Sequence, residues 1–262
     1  MNAIHQYYAD FSEEERLFNG KQHYCEYLVT MHLLKKYLPL KGMRILDCCA
    51  GTGAYAFALA SEGARVTAGD LIEAHAEKMQ RHANASLLEA IYSGSADDLS
   101  RFEDESFDAV LCMGALYHLP DAVDRDCVMR ECLRVLKPGG YIVCAWQSLL
   151  AICLARLLRA VRQTQTEARR EAFAQLEESR KTHCRDIFYG MTMDEIEAYS
   201  AIYSLERITN AATYPALYSI GIDIESFDSE TFESYVRCLY ETCEDLSAVK
   251  YTMHGLYIAR RF

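Results

Sequence analysis

Apolar positions in residues 21–38 recur at helical spacing, with Tyr24, Tyr27, Leu28, Met31, Leu34 and Leu38 on one face; Pro39 and Gly42 end that helix. Beyond it, short apolar runs alternate with amphipathic stretches. Strands are predicted at 44–48, 65–69, 107–113 and 141–146, with a weaker one near 88–92. Helices are predicted at 52–61, 73–82 and 122–136, the last stopped by Lys137-Pro138-Gly139-Gly140. Strand–helix alternation of this kind implies right-handed crossovers and a parallel sheet covered by helices on both faces.

The pattern changes at Ser148. Residues 148–181 read as one long helix or two, apolar at first through Leu149, Leu150, Ile152, Cys153, Leu157, Leu158 and Val161 and charged in the second half. Alternation then resumes. Thr192-Met193-Asp194-Glu195 is a capping box that opens a helix, and 205–213 and 251–260 read as two late strands. There is no internal repeat. The chain is therefore expected to be a single α/β domain: an amino-terminal helical segment (1–40), a ligand-binding core (41–147), a helical insertion (148–185) and a carboxyl-terminal completion of the sheet (186–262).

Composition narrows the function classes. Of 262 residues, 51% are apolar and 25% charged, as in an ordinary soluble enzyme. The net charge of −11 repels phosphate backbones, so nucleic acid is not expected as the main substrate. The most apolar stretch, 149–158, is broken by Arg156 and too short to span a bilayer, and no secretory signal opens the chain. The 11 cysteines then read as reduced thiols of a cytoplasmic protein. Their spacing does not resemble a metal-ligand set, so no metal is expected.

The chemistry concentrates in Ile45-Leu46-Asp47-Cys48-Cys49-Ala50-Gly51-Thr52-Gly53-Ala54-Tyr55-Ala56, a strand, a small-residue turn and a helix. Such a turn lets backbone approach a nucleotide-like ligand closely. From Gly51 it matches the dinucleotide pattern G-x-G-x-x-A, and Asp70 stands where that pattern expects a ribose-binding acid. Asp47 argues against a dinucleotide, because a carboxylate beside the turn repels a pyrophosphate and attracts an ammonium group. S-adenosylmethionine has no phosphate and carries both an ammonium and a sulfonium.

Several further stretches, in order, resemble the class I S-adenosylmethionine-dependent methyltransferases over about residues 40–147: Val66-Thr67-Ala68-Gly69-Asp70-Leu71, Gly94-Ser95-Ala96-Asp97-Asp98-Leu99, Ser106-Phe107-Asp108-Ala109-Val110 and the Leu133–Gly140 turn. Met113-Gly114-Ala115-Leu116-Tyr117-His118-Leu119 further resembles the small-molecule members. The resemblance implies a Rossmann-like, seven-stranded, mostly parallel sheet, to which the 148–185 pattern adds a helical insertion after strand five. It implies that Asp47, Cys49, Gly51, Gly53, Asp70, Leu71, Ala96, Asp97 and Met113 bind the cofactor. Two positions depart from the family: Cys49 stands where glycine is usual, and Ser95 where an acid is frequent.

The sulfonium makes the methyl group electrophilic already, so alignment and exclusion of water are the main tasks of the protein. His118, after the fourth strand, is the candidate base and Tyr117 its neighbour that orients the acceptor. The segment Tyr7-Tyr8 through Arg16 is expected to cross the cofactor mouth, and the 148–185 insertion to be a substrate lid or a homodimer face. Tyr189 and His254 read as structural, the latter inside the last strand with Gly255 marking a bulge. The expected activity is methyl transfer to O, N or S of a small molecule. The alternatives are a non-catalytic cofactor-binding scaffold and a nicotinamide-dependent oxidoreductase.

Overall fold

The structure is a computed structural model that describes residues 3–10, 13–214 and 223–262. Seven strands form one sheet in the order β3-β2-β1-β4-β5-β9-β8. These are β1 (Arg44–Asp47), β2 (Arg65–Asp70), β3 (Ala90–Ser93), β4 (Phe107–Cys112), β5 (Leu136–Trp146), β8 (Leu205–Ala212) and β9 (Gly255–Arg261). The first five pair in parallel, and β9 runs antiparallel to both β5 and β8. A separate hairpin holds β6 (Cys184–Arg185) and β7 (Phe188–Tyr189).

Helices cover both faces. Along each strand the buried side chains alternate between two cores. Ile45, Val66, Leu111, Val143 and Ile258 pack on one face, mainly with α2 (Lys21–Tyr37), α3 (Ala54–Ser61) and α4 (Glu73–Arg81). Leu46, Val110, Ile142, Cys144 and Tyr257 pack on the other, mainly with α5 (Ala122–Val135) and the short α8 (Met193–Glu197) and α9 (Tyr199–Ile202). This is the two-sided burial a parallel sheet requires. Asp121 caps α5 by accepting from Val123 N–H, and the predicted capping box of Thr192 and Glu195 opens α8.

The insertion is two helices, α6 (Leu149–Arg162) and α7 (Thr166–Thr182), packed on each other and followed by the β6–β7 hairpin. At the amino end, α1 (Ala3–Asp10) precedes α2. Two expectations need correction. Strand β5 starts at Leu136, not Tyr141, because Leu136 pairs with Phe107 and the Pro138-Gly139 stretch is absorbed as an irregularity in that ladder. His254 precedes β9 rather than lying in it. Gly255 opens that strand against the Trp146 indole, and the register shift falls on β8, between Arg207 and Thr209. Helices α10 (Ser229–Thr242) and α11 (Leu246–Lys250), between β8 and β9, were not anticipated. Among the described residues no helix is long and apolar enough to cross a membrane.

Candidate active site

A cleft of about 1050 Å³ opens at the carboxyl ends of β1, β2 and β4. The chain leaves β1 for β2 on one side and later places β4 on the other, which is where open α/β sheets bind ligands. The turn after β1 is its floor. Gly51 and Gly53 have φ of 55° and 93°, backbone that L side chains rarely adopt, and Gly53 N–H donates to the Ala50 carbonyl at 2.9 Å. Cys49, in place of the usual glycine, fits because glycine stands opposite at the end of β4. A Cβ at Gly114 would lie 2.8 Å from that of Cys49.

Of the residues expected at the cofactor, Cys49, Gly51, Asp70, Leu71, Ala96, Asp97 and Met113 line this cleft, as do Ser95, Tyr117 and His118. Gly53 and Asp47 do not: Gly53 ends the turn where α3 begins, and Asp47 is buried at the end of β1. Asp47 is 1% exposed, and neither carboxyl oxygen has a hydrogen-bond partner among the described residues. Burial pushes its carboxyl up to about 7; the Cys49 amide opposes this rise and the Asp70 carboxylate adds to it. An orphaned buried carboxyl under a glycine turn is a site that lacks a donor.

Asp70 is fixed by its surroundings. One oxygen accepts from Gly51 N–H at 2.8 Å; the other accepts from Ile72 N–H at 2.9 Å and lies 3.1 Å from His75 Nδ1. It therefore joins the turn to α4 and still faces the cleft, with acceptor capacity left over. Sequence reasoning missed His75. Its only signal was a histidine one turn past the acid, on the buried face of α4.

The amino-terminal segment crosses the cleft mouth through Ile4, Tyr8, Glu13, Arg16 and Leu17. Tyr8 reaches His118, with its hydroxyl 3.0 Å from Nε2. His118 Nδ1 lies 3.2 Å from the Ile187 carbonyl, which can only accept, so Nδ1 carries the proton and Nε2 accepts from Tyr8. Burial pulls His118 down to about 4, although the Ile187 carbonyl and the Asp70 carboxylate favour its charged form. The ring is thus neutral at pH 7. The Tyr117 hydroxyl donates to the Met113 carbonyl at 3.0 Å, leaving its ring as the part that faces ligand.

A second cavity lies beyond this wall. It is about 1570 Å³ counted to its open mouth. Tyr8, Glu13, Arg16 and Tyr117 line both spaces. Arg16 is the hinge of the wall, bonding Glu13 at 2.8 Å and the buried Glu26 at 3.0 Å. Burial works against both charges, but Glu26 and Glu13 hold Arg16 well above its ordinary value, and Arg16 holds Glu26 below its own. His254, read from the sequence as structural, lines this second cavity with Nε2 3.8 Å from Glu26. Tyr189 lines neither space and donates to Glu195 at 2.6 Å.

The cysteines do group in the fold, against the reading from spacing. Sγ atoms of Cys48, Cys49 and Cys112 lie within 4.8 Å of one another, and Cys132 is 3.9 Å from Cys48. The reason is register: Asp47 pairs with Leu111, so the residues that follow them in parallel strands meet.

Comparisons with known proteins agree with the geometry. Residues 46–144 match the methyltransferase domain model. The ubiquinone biosynthesis O-methyltransferase of Xanthomonas oryzae pv. oryzae is 37% identical over 113 residues, which cover 43% of this chain and 46% of that protein. The chain thus spans about half the length of the curated relatives it matches. A Pyrococcus horikoshii OT3 protein superposes with a TM-score of 0.62 at 19% identity, covering 98% of this chain and 99% of that one. A Thermotoga maritima SAM-dependent methyltransferase, described as a possible histamine N-methyltransferase, does so at 0.58 and 17%, covering 99% of each. These two likenesses show the fold. Residues 46–144 thus match a methyltransferase domain, and with the motif order and the cleft at the sheet's switch point the chain as a whole has the fold of S-adenosylmethionine-dependent methyltransferases.

Proposed function

We propose that this protein moves the methyl group of S-adenosylmethionine to an O, N or S atom of a small-molecule acceptor by in-line displacement. The observation that carries the reading is the shared wall: a cofactor cleft and a second cavity meet at Tyr8, Glu13, Arg16 and Tyr117. Two ligands seated side by side would touch there, and proximity with orientation is the main source of rate in this chemistry.

The residues present fit the cofactor. The glycine turn gives the methionine portion room, the partnerless Asp47 carboxyl lies beneath it as the acid toward which an ammonium is drawn, and Asp70 offers its remaining lone pairs to ribose hydroxyls. Leu71 and Ala96 flank the adenine, and Asp97 accepts from its amine. When bound, the cofactor supplies a methyl group already activated by the sulfonium. Tyr117 orients the acceptor with its ring. For an acceptor that arrives protonated, the Tyr8 hydroxyl takes up the acceptor's proton as it gives its own to the His118 Nε2 lone pair that already accepts its hydrogen bond. Helix α1 and the 13–17 segment keep water out, and α6, α7 and the hairpin form the lid over the acceptor.

The curated relative is named for O-methyl transfer, but the match covers 43% of this chain and 46% of that protein, and the methyltransferase domain match ends at residue 144, so the acceptor atom is left to this chain's own second cavity. The test is a calorimetric titration with S-adenosylmethionine, followed by mass-spectrometric detection of S-adenosylhomocysteine with candidate acceptors. Binding plus turnover is expected. Binding without turnover on any acceptor would favour a scaffold, and tighter binding of NAD would overturn the reading.

A further inference from the structure

The second cavity has a charge that the rest of the chain does not. The protein carries −11 overall, yet this cavity is lined by four arginines against two glutamates. Both glutamates are bonded to Arg16. The histidines do not change the balance, because burial keeps His23 and His254 below their ordinary values despite the Glu26 carboxylate. That leaves Arg159 and Arg162 on α6 and Arg185 on the hairpin. Neither Arg159 nor Arg162 has a carboxylate within ion-pair distance among the described residues. Arg185 Nε is buried without a hydrogen bond; the nearest carboxylate oxygen, on Asp186, is 4.0 Å away and outside the cavity lining. Arg185 also lies over the Phe188 ring at 5.5 Å, and its buried Nε, without a hydrogen bond among the described residues, costs stability unless something else uses it.

The remainder of the lining is mainly aromatic and apolar, with Gln22, Gln147 and Gln163 as its uncharged polar members. Tyr7 and Phe188 meet edge to face at 5.6 Å, and Leu158 and Met253 add apolar surface. Arg159, Arg162 and Arg185 line this cavity alone, whereas its Tyr8–Tyr117 wall is shared with the cofactor cleft.

We propose that the acceptor is a small aromatic molecule carrying an anionic group, a carboxylate or a phosphate ester, held by Arg159, Arg162 and Arg185 while its nucleophilic atom faces the Tyr8–Tyr117 wall. The guanidinium fork suits both oxyanions, and the aromatic lining suits the ring. The lid thus supplies specificity by charge as well as cover. This inference rests on the second cavity being the acceptor site of the methyl transfer proposed above, but its test does not require turnover.

The test is ligand-observed NMR titration with matched pairs: benzoate against benzamide, phenylacetate against phenylacetamide, and phenyl phosphate against phenol. Each is run on the protein alone and with S-adenosylhomocysteine present. Acids should bind about tenfold or more tightly than their neutral partners, as expected for gaining a charge-assisted hydrogen bond. The R159Q/R162Q double variant should lose that preference while keeping its melting temperature and its affinity for S-adenosylhomocysteine. Both arginines are exposed and form no ion pair among the described residues, so their removal leaves the fold intact. The relative strength of benzoate and phenyl phosphate tells carboxylate from phosphate. Equal binding of acids and amides, no binding of any acid, or a preference that survives in the double variant would overturn the proposal. A failed S-adenosylhomocysteine titration with the acid preference intact would count against the methyl-transfer reading instead.

Discussion

The cofactor cleft and the second cavity are built in opposite ways. The cleft takes its floor and far wall from one continuous stretch, with Cys49, Gly51, Asp70, Ala96 and Met113 all at or just beyond the carboxyl ends of neighbouring strands. The cavity draws Arg16 from the amino-terminal segment, Glu26 from α2, Arg159 from α6, Arg185 from the hairpin and His254 from the turn before β9. The cleft is fixed by backbone: a left-handed turn, a glycine opposite Cys49, an acid bonded to main-chain amides. The cavity is fixed by side-chain charge. A fold can keep the first while it changes the second, which is how one scaffold serves many acceptors.

The comparison breaks most visibly at the turn. Gly53→Val would place a branched side chain at φ 93° and its Cβ 2.7 Å from the Phe57 ring. A loss of about 3 kcal/mol or more in stability is expected from backbone strain and overpacking together. Chemical denaturation measures it, and an unchanged midpoint would show that the turn is not the rigid element described here. Next comes Asp70→Ala, which leaves Gly51 and Ile72 amides and His75 without their acceptor. Affinity for S-adenosylhomocysteine should fall by about 1–3 kcal/mol. Calorimetry decides, and unaltered affinity would rule out the ribose role.

Tyr8→Phe acts only on the wall. It removes the donor to His118 Nε2 and should lower turnover by about 10-fold to 100-fold on a protonated acceptor while S-adenosylhomocysteine affinity stays within about twofold. An equal loss in both would make Tyr8 a structural cover rather than a proton path.

The smallest effect is on pH-dependent stability, and two groups oppose each other. Asp47 has its pKa raised from 3.8 to about 7, so the folded state holds a proton that the unfolded state has lost; its contribution is full below 3.8 and is lost as pH rises through 7. His118 has its pKa lowered from 6.5 to about 4, so the unfolded state binds the extra proton; its contribution is full above 6.5 and is lost as pH falls through 4. Between about pH 4 and 6.5 the slopes offset in the wild-type protein. Asp47→Asn should leave stability rising with pH across that window, and His118→Gln should leave it falling, each by up to about 1.4 kcal/mol per pH unit. Matching pH profiles for both variants would refute these assignments.

This same contrast explains what the sequence could reveal. The strand–helix alternation, the acid-and-glycine turn and Asp70 are local signals, because parallel strands place consecutive short motifs side by side. Cys49 was legible as a departure, but its remedy, Gly114, lies 65 residues away and shows only in the fold. The cysteine cluster was missed for the same reason: register between β1 and β4, not spacing, unites Cys48 with Cys112. Arg16, Glu26 and His254 meet only after the amino-terminal segment and the last strand have docked. The charge reversal at Arg159, Arg162 and Arg185 is hidden in composition, since the chain as a whole is acidic. His254 read as structural because nothing near it in sequence hinted at a cavity.

The central claim is that the turn after β1, Asp47 beneath it and Asp70 beside it form a seat for S-adenosylmethionine. One calorimetric titration, repeated near pH 6 in buffers of different ionisation enthalpy, tests it most directly. One molecule of S-adenosylmethionine should bind per chain, with NAD binding far more weakly, and protons should be released as the ammonium draws Asp47 into its charged form. No binding, or binding without proton release that is unaffected by Asp47→Asn, would contradict the account.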